Sequence, residues 1–530
     1  MMTAATSASH DGLYRLRMLW PHFLVWLVWS ITPISWFLIL HASYRIFHDG
    51  ADWRAFFLPA MPRVTSLSTL LARLGWGFVR VFMFLSIGEV PFSIYLYLLT
   101  LHASRIRPPP AFEIEKLETL LIDSLQVGLP RRNPKEARTQ WHGKPRPLKK
   151  IANAYDERHL TPEATVEIRK GLMRWFHNVD ISQVRADNVR EWLAWAFLGR
   201  ELSECRQDDK IMKLIEDSLG LLEKRTDWTF PPGHNSEIRS IRLTLDRLQA
   251  AHRPLGAYLV CNGFTYGTIA WACLLGGFQL QTHGEFRFLV RPATKRAQKS
   301  SQLPVVFLHG LGIGIGQYLI FLRKLARHET GVVIMLQPNI SGLITSRHFL
   351  DAPTEDEHVS ALKTAMNANG FETATLVSHS NGTMLHGWIL RREPQLVARS
   401  VLVDPVSFRL WEGALCYNFL HKEANTPISV LLRYFVAQEL SVAHTICRRF
   451  AWPSMALWVP EFPSIDSNDV HFIFGQNDIL VDIPGSVDYL KEEGVQDDAI
   501  TVMKGYQHGQ ALFLGGEGMR LACKYAHIPF

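Results

Sequence analysis

Ser380 lies at the centre of Ser378-His379-Ser380-Asn381-Gly382. A strand-like run, Ala374-Thr375-Leu376-Val377, precedes it, and helical apolar spacing at Leu385, Trp388 and Ile389 follows. A serine hydroxyl is a weak nucleophile until a neighbouring base takes its proton, and that base works best when a third group orients it. Histidine exchanges protons near neutral pH, and a buried carboxylate is a common orienting group. Residues of both kinds stand at the ends of other strand-like runs. Asp404 closes Ser400-Val401-Leu402-Val403, and Asp478 follows Val470–Phe474 through Gly475-Gln476-Asn477, with Asp482 four residues on. His508 follows Ile500–Met503 within Tyr506-Gln507-His508-Gly509, and His309 opens His309-Gly310-Leu311-Gly312 after Pro304–Leu308. Such a set could carry acyl transfer through a serine ester.

The elements that would position these groups can be read from periodicity. Short continuous apolar runs are expected of strands buried on both faces, and they recur at Phe286–Val290, Val305–Leu308, Val332–Leu336 and the stretches named above. Amphipathic segments separate them. One begins with Thr354 and Glu357, a capping-box pair, buries Val359, Leu362 and Met366, and has Gly370 available as a left-handed stop. Strands alternating with helices predict a mostly parallel sheet wrapped by helices, an α/β class.

The strand, five-residue turn and helix around Ser380 resemble the nucleophile elbow of the α/β-hydrolase superfamily over roughly residues 280–530. That family's pattern is G-x-S-x-G, and here Ser378 replaces the first glycine. The resemblance implies an α/β-hydrolase fold with a helical lid, and a lipase- or esterase-like serine hydrolase activity. It also implies Ser380 as nucleophile, Asp478 as triad acid and His508 as base, at sequence separations of 98 and 30. Asp404 remains the alternative acid, because some relatives place it one strand earlier. The oxyanion donors would be the backbone N–H groups of Asn381 and, by similarity to H-G-x loops, Leu311. His309 and His379 read as structural or oxyanion-loop residues. No C-x-x-C pair occurs among the six cysteines; no metal or other cofactor is expected.

The remaining half is different in kind. Met18–Leu40 contains no charged side chain but has Trp20, Trp26, Trp29 and Trp36, which predicts a retained transmembrane anchor. Val81–Leu101, interrupted by Glu89 and Pro91, predicts a second span. Pro108-Pro109-Pro110 and a basic run from Arg131 to Lys150 read as a linker lying against anionic lipid. Helices are expected through about 151–253: Asp187 as an N-cap before Val189, Trp192, Leu193, Ala196 and Phe197, then apolar stripes at Ile211–Leu222 and at Ile238, Ile241, Leu245 and Leu248. Pro254–Phe278 is charge-free but rich in glycine, and a buried or membrane-facing hairpin at the hydrolase entrance is expected there.

These readings divide the chain into a membrane anchor (1–104), a basic linker and helical region (105–253), and a hydrolase domain (254–530) with a lid insertion at 405–469. The insertion is apolar and aromatic (Trp411, Tyr417, Phe419, Trp452, Trp458) and could shape an acyl-sized tunnel. The expected partners are an apolar acyl ester and membrane lipid. The net charge of +7 over 530 residues does not suggest nucleic acid, and protein partners are not specified. An integral protein of an intracellular membrane, such as the endoplasmic reticulum, is the expected setting. An acyltransferase or thioesterase would use the same triad, although the H-x-x-x-x-D acyltransferase signature fails because Phe513 stands five residues after His508. A non-catalytic lipid-binding scaffold is the third reading.

Overall fold

The computed structural model describes residues 2–52, 54, 66–106, 113–127, 161–295 and 302–530. The basic run Arg131–Lys150 and the triple proline lie outside the described residues.

Two long helices, α1 (Met2–Asp49) and α2 (Leu67–Ala103), pack against each other as an antiparallel pair. Arg17–Asp49 and Arg80–Ala103 are long and apolar enough to cross a membrane. Both carry proline internally, and both expose large apolar side chains, among them Trp20, Phe23, Trp26, Phe84, Tyr97 and Leu98. Their mutual face is polar: Ser86 donates to Ser35 at 3.0 Å and the Trp36 indole N–H to Ser93 at 2.9 Å. Glu89, almost fully buried, accepts from the Thr32 hydroxyl at 2.5 Å.

The middle region forms helices at Pro162–Arg174, Ala186–Leu198 and Asp209–Thr226. Asp187 is not the N-cap expected of it. Arg185 holds that place, and Asp187 sits in the first turn, its N–H donating to Gly233 O. Nor is there a helix at Ile238–Leu248. Ile238, Ile241, Leu243 and Leu248 are buried, and other elements satisfy the backbone there: Ile241 N–H donates to Trp175 O, Asn188 to Ile238 O, and Arg448 to Leu243 O. Apolar spacing there tracked burial, while tertiary hydrogen bonds set the conformation. The region packs on the insertion at 405–469 through Trp175 to Trp411 O and Trp452 to Ala196 O, each at 2.8 Å.

Residues Leu255–Leu274 form one continuous helix, α3, where a hairpin was expected. Glycines within a helix weaken it by roughly 1 kcal/mol each relative to alanine. Here tertiary hydrogen bonds from Tyr258, Asn262, Thr265 and Tyr266 hold the helix to its neighbours and offset that loss.

Eight strands follow: β1 (Gln279–His283), β2 (Phe286–Arg291), β3 (Val305–Leu308), β4 (Val332–Met335), β5 (Ala374–His379), β6 (Val397–Val403), β7 (Val470–Gly475) and β8 (Ile500–Met503). They lie in the order β1-β2-β4-β3-β5-β6-β7-β8, with β2 antiparallel to both its neighbours and every other pair parallel. Strand side chains alternate between faces, and the core divides accordingly. Val306, Leu308, Val333, Met335 and Phe472 join one apolar layer, while Val305, Phe307, Val332, Ile334 and Ile473 join the other. This is the α/β-hydrolase fold, with α4 (Gly382–Arg392) leaving the C-terminal end of the central strand β5. The expected capping box is present, Thr354 accepting from Glu357 N–H and the Glu357 carboxylate from Thr354 N–H. β1, too polar to be read from its sequence (Gln-Leu-Gln-Thr-His), is placed by its pairing with β2.

Candidate active site

Ser380 stands between β5 and α4 with φ of +51°, a left-handed conformation in which side chains other than glycine are strained. The turn is tight enough to dictate its neighbours. A Cβ at Gly382 would sit 2.2 Å from Leu308 O, and one at Gly310 would sit 2.8 Å from the Ser380 Cβ. Ser378 is under no such constraint, because it still belongs to β5. Its hydroxyl lies 2.8 Å from His386 Nδ1, whose Nε2 lies 2.9 Å from the Ser400 hydroxyl. The residue that departs from the G-x-S-x-G pattern thus joins a fully buried Ser–His–Ser link between β5, α4 and β6. Burial lowers the His386 pKa to about 3, so the ring is neutral there.

Asp478 and His508 come from the turns after β7 and β8. Asp478 Oδ2 lies 2.6 Å from His508 Nδ1, and His508 Nε2 lies 2.8 Å from Ser380 Oγ. Asp478 Oδ1 accepts from the N–H groups of Leu480 and Val481 at 2.7 and 3.2 Å, which holds the carboxylate in one orientation. In the neutral ring, with the carboxylate accepting at Nδ1, the Nε2 lone pair faces the serine hydroxyl. Burial by itself would lower the pKa of His508. The Asp478 charge and hydrogen bond override it and raise the pKa to about 9.

Asp404, the alternative acid, does not touch His508. It is nearly fully buried at the end of β6, where Oδ1 accepts from Gly475 N–H and Oδ2 from Gly509 N–H, each at 2.7 Å. One carboxylate therefore fastens the start of the Asp478 turn to the residue after His508. Burial pushes its pKa up to about 6, against the charge of His508. Asp482 is elsewhere, capping helix Ile483–Glu492 and paired with Arg174 at 2.9 Å.

His379 and His309 lie behind the serine. Gly310 N–H donates to the Tyr318 hydroxyl at 2.8 Å, and that hydroxyl lies 2.7 Å from His379 Nδ1. His379 Nε2 is 3.9 Å from Asp404 Oδ2, too far for a hydrogen bond. Burial holds His379 well below the ordinary histidine range, with the His508 charge adding to it. His309 Nε2 accepts from Gln337 N–H at 3.2 Å, and burial lowers its pKa to about 4. Both rings are neutral framework. Their types and positions were readable from sequence; the Tyr318 link and the Asp404 clamp were not, because no local signal joins residues so far apart in the chain.

Neither Leu311 N–H nor Asn381 N–H donates a hydrogen bond among the described residues. The Leu311 loop is rigidly braced: Gln317 donates to Leu311 O at 3.0 Å and Gly312 N–H to Ile340 O at 3.1 Å. Among the described residues no group of three or more His, Cys, Asp or Glu is arranged to hold a metal ion.

No family model matches the chain, and no curated protein matches it. Solved structures similar to it include a membrane phospholipase A described as a bacterial virulence factor, 14% identical, matching 51% of this chain and 92% of that one with a TM-score of 0.36. The carboxylesterase CesB of Bacillus subtilis is 13% identical over 51% of this chain and 97% of its own, with a TM-score of 0.32. A 2-hydroxy-6-oxo-6-phenylhexa-2,4-dienoate hydrolase from Rhodococcus sp. strain RHA1 is 16% identical over 47% and 99%, with a TM-score of 0.31. At such identities and scores these likenesses carry no argument about substrate.

Proposed function

We propose that this chain is a membrane-anchored serine hydrolase that cleaves a carboxylic ester of a lipid or other apolar acyl substrate through an acyl-serine intermediate. The observation that carries the reading is the continuous path from Asp478 through His508 to Ser380, at 2.6 and 2.8 Å. His508 Nε2 takes the hydroxyl proton as Ser380 Oγ bonds to the ester carbonyl carbon, and Asp478 stabilises the imidazolium so formed. The carbonyl oxygen becomes an oxyanion facing the Leu311 and Asn381 N–H groups. The tetrahedral species collapses, the alcohol leaves with the proton from His508, and the acyl group remains on Ser380. Water, deprotonated by the same imidazole, then releases the acid and restores the hydroxyl.

The apolar substrate and the membrane setting are supported by the exposed apolar faces of α1 and α2 and by the aromatic insertion after β6, where Trp411 and Trp458 stack at 4.4 Å. We read 1–104 as the anchor of an integral membrane protein, 105–253 as linker and helical region, and 254–530 as the hydrolase, with 405–469 as its lid. The test is labelling of the full chain with a fluorophosphonate probe. Wild type should label and Ser380→Ala should not; equal labelling of the two defeats the proposal. Turnover of a graded ester series by wild type should rise with acyl length, and a flat series would remove the lipid assignment.

A further inference from the structure

In an amphipathic helix of a water-exposed domain, apolar residues face the core and polar ones face outward. Helix α3 has the opposite arrangement. Its buried stripe is Tyr258, Asn262, Thr265, Thr268 and Ala272, spaced at 4, 3, 3 and 4 residues along one face. Its outward side carries Leu259, Val260, Phe264 and Leu274, and Val260 and Leu274 are 72% and 82% exposed. No charged residue occurs from Pro254 to Phe278. A helix that turns hydroxyls and an amide inward and aliphatic groups outward is matched to hydrocarbon rather than to water.

The start of α3 is joined to the apolar pair. The Glu89 carboxylate of α2 accepts from Leu255 N–H, the first of the helix, at 2.6 Å, while its other oxygen binds Thr32 of α1. The lipid-matched face of α3 is thus continuous with helices already suited to a bilayer. Yet both ends of α3 belong to one folded body. Arg253, just before it, donates to Gln438 O in the lid at 2.9 Å, and Phe278, just after it, is buried in the same apolar layer as Leu289.

We propose that α3 lies bedded in the acyl-chain layer without crossing it, and that it carries the oxyanion loop at the lipid boundary. The polar face supplies the second half of this inference. Thr265 donates to Ile313 O at 2.6 Å, two residues beyond Leu311, and Asn262 donates to Gly342 O at 2.8 Å. The 338–342 turn in turn accepts from Gly312 through Ile340 O. The loop that would present the Leu311 N–H is therefore built on the inner side of a helix whose outer side meets lipid. An ester dissolved in the bilayer reaches Ser380 from the membrane, without passing through water. This second half rests on the serine-hydrolase reading, whereas the lipid contact does not.

The experiment uses the full chain reconstituted in phosphatidylcholine vesicles doped with a phosphatidylcholine bearing a diazirine on its acyl chain. After irradiation, adducts are expected on Leu259, Val260 and Phe264 as well as on α1 and α2. Adducts confined to α1 and α2, with those three residues oxidised instead by hydroxyl radicals generated in water, would overturn the proposal. A second arm compares wild type with Val260→Lys, measuring vesicle-borne long-chain ester turnover relative to that of a water-soluble short-chain ester. The ratio should fall about tenfold, and an unchanged ratio rejects entry from lipid. A chain that labels on α3 but turns over neither ester keeps the lipid contact and loses the hydrolase reading.

Discussion

Two histidine–aspartate pairs stand near the Ser380 turn: His508 with Asp478, and His379 with Asp404. In the first, the imidazole and carboxylate are 2.6 Å apart, and the far nitrogen faces the serine hydroxyl. In the second the separation is 3.9 Å, and the far nitrogen faces Tyr318. The consequences are opposite. Asp478 raises His508 to about 9, whereas burial holds His379 well below 6.5. Both aspartates are buried, so burial does not separate the pairs. The difference is what else each carboxylate binds. Asp404 spends both oxygens on the N–H groups of Gly475 and Gly509, while Asp478 leaves Oδ2 to the imidazole. Identical side chains come to orient an imidazole or to fasten backbone according to which lone pairs remain.

The largest effect that would break this contrast is expected from Asp478→Asn. It should lower kcat by about 10⁴-fold, the loss seen when the orienting carboxylate of a serine–histidine–aspartate triad is replaced by an amide, with the fold intact by circular dichroism. A loss below tenfold would mean that Asp478 does not orient the base. Asp404→Asn should cost less, about 10- to 100-fold in kcat with little change in KM, because one of two buried N–H groups loses its acceptor, about 1–3 kcal/mol. If Asp404→Asn proved the more damaging, the roles assigned to the two carboxylates would have to be exchanged.

The pH profile sharpens the same comparison. In the proposed mechanism the neutral imidazole is the base, so kcat/KM for a water-soluble ester should rise with pH towards the His508 pKa of about 9. Asp478→Asn removes the main cause of the upward shift and should move the midpoint to lower pH. Asp404→Asn, removing a more distant negative charge that also raises His508, should move it the same way by less. A midpoint that stays fixed in both variants would show that neither charge acts on the base. Stability moves in the opposite direction to activity: the folded pKa of His508 lies above the ordinary 6.5, so the pair's contribution is complete below that value and is lost as pH rises through about 9.

Much of the fold was legible because it depends on short-range patterns. Buried strands announce themselves as unbroken apolar runs, as at Val305–Leu308 and Val332–Met335, and the Thr354–Glu357 box marks a helix start within four residues. The segments misread were those where tertiary contacts outvote local spacing. Ile238–Leu248 has helical periodicity but takes its backbone partners from Trp175, Asn188 and Arg448. The glycines of α3 argued for a bend, and the hydrogen bonds of its polar face keep it straight.

Residue chemistry at strand ends and turns was enough to single out Ser380, His508 and the candidate aspartates, and the resemblance to α/β-hydrolases added the choice of Asp478 and the Leu311 and Asn381 N–H groups. Only the folded molecule decided which carboxylate meets the imidazole, because Asp404 and Asp478 both end neighbouring parallel strands and differ only in three-dimensional surroundings. It also decided that the glycine-rich helix turns its polar side inward. Helical periodicity shows that two faces exist, but which one meets the protein depends on hydrogen-bond partners at Ile313, Gly342 and Glu439, dozens of residues or more away.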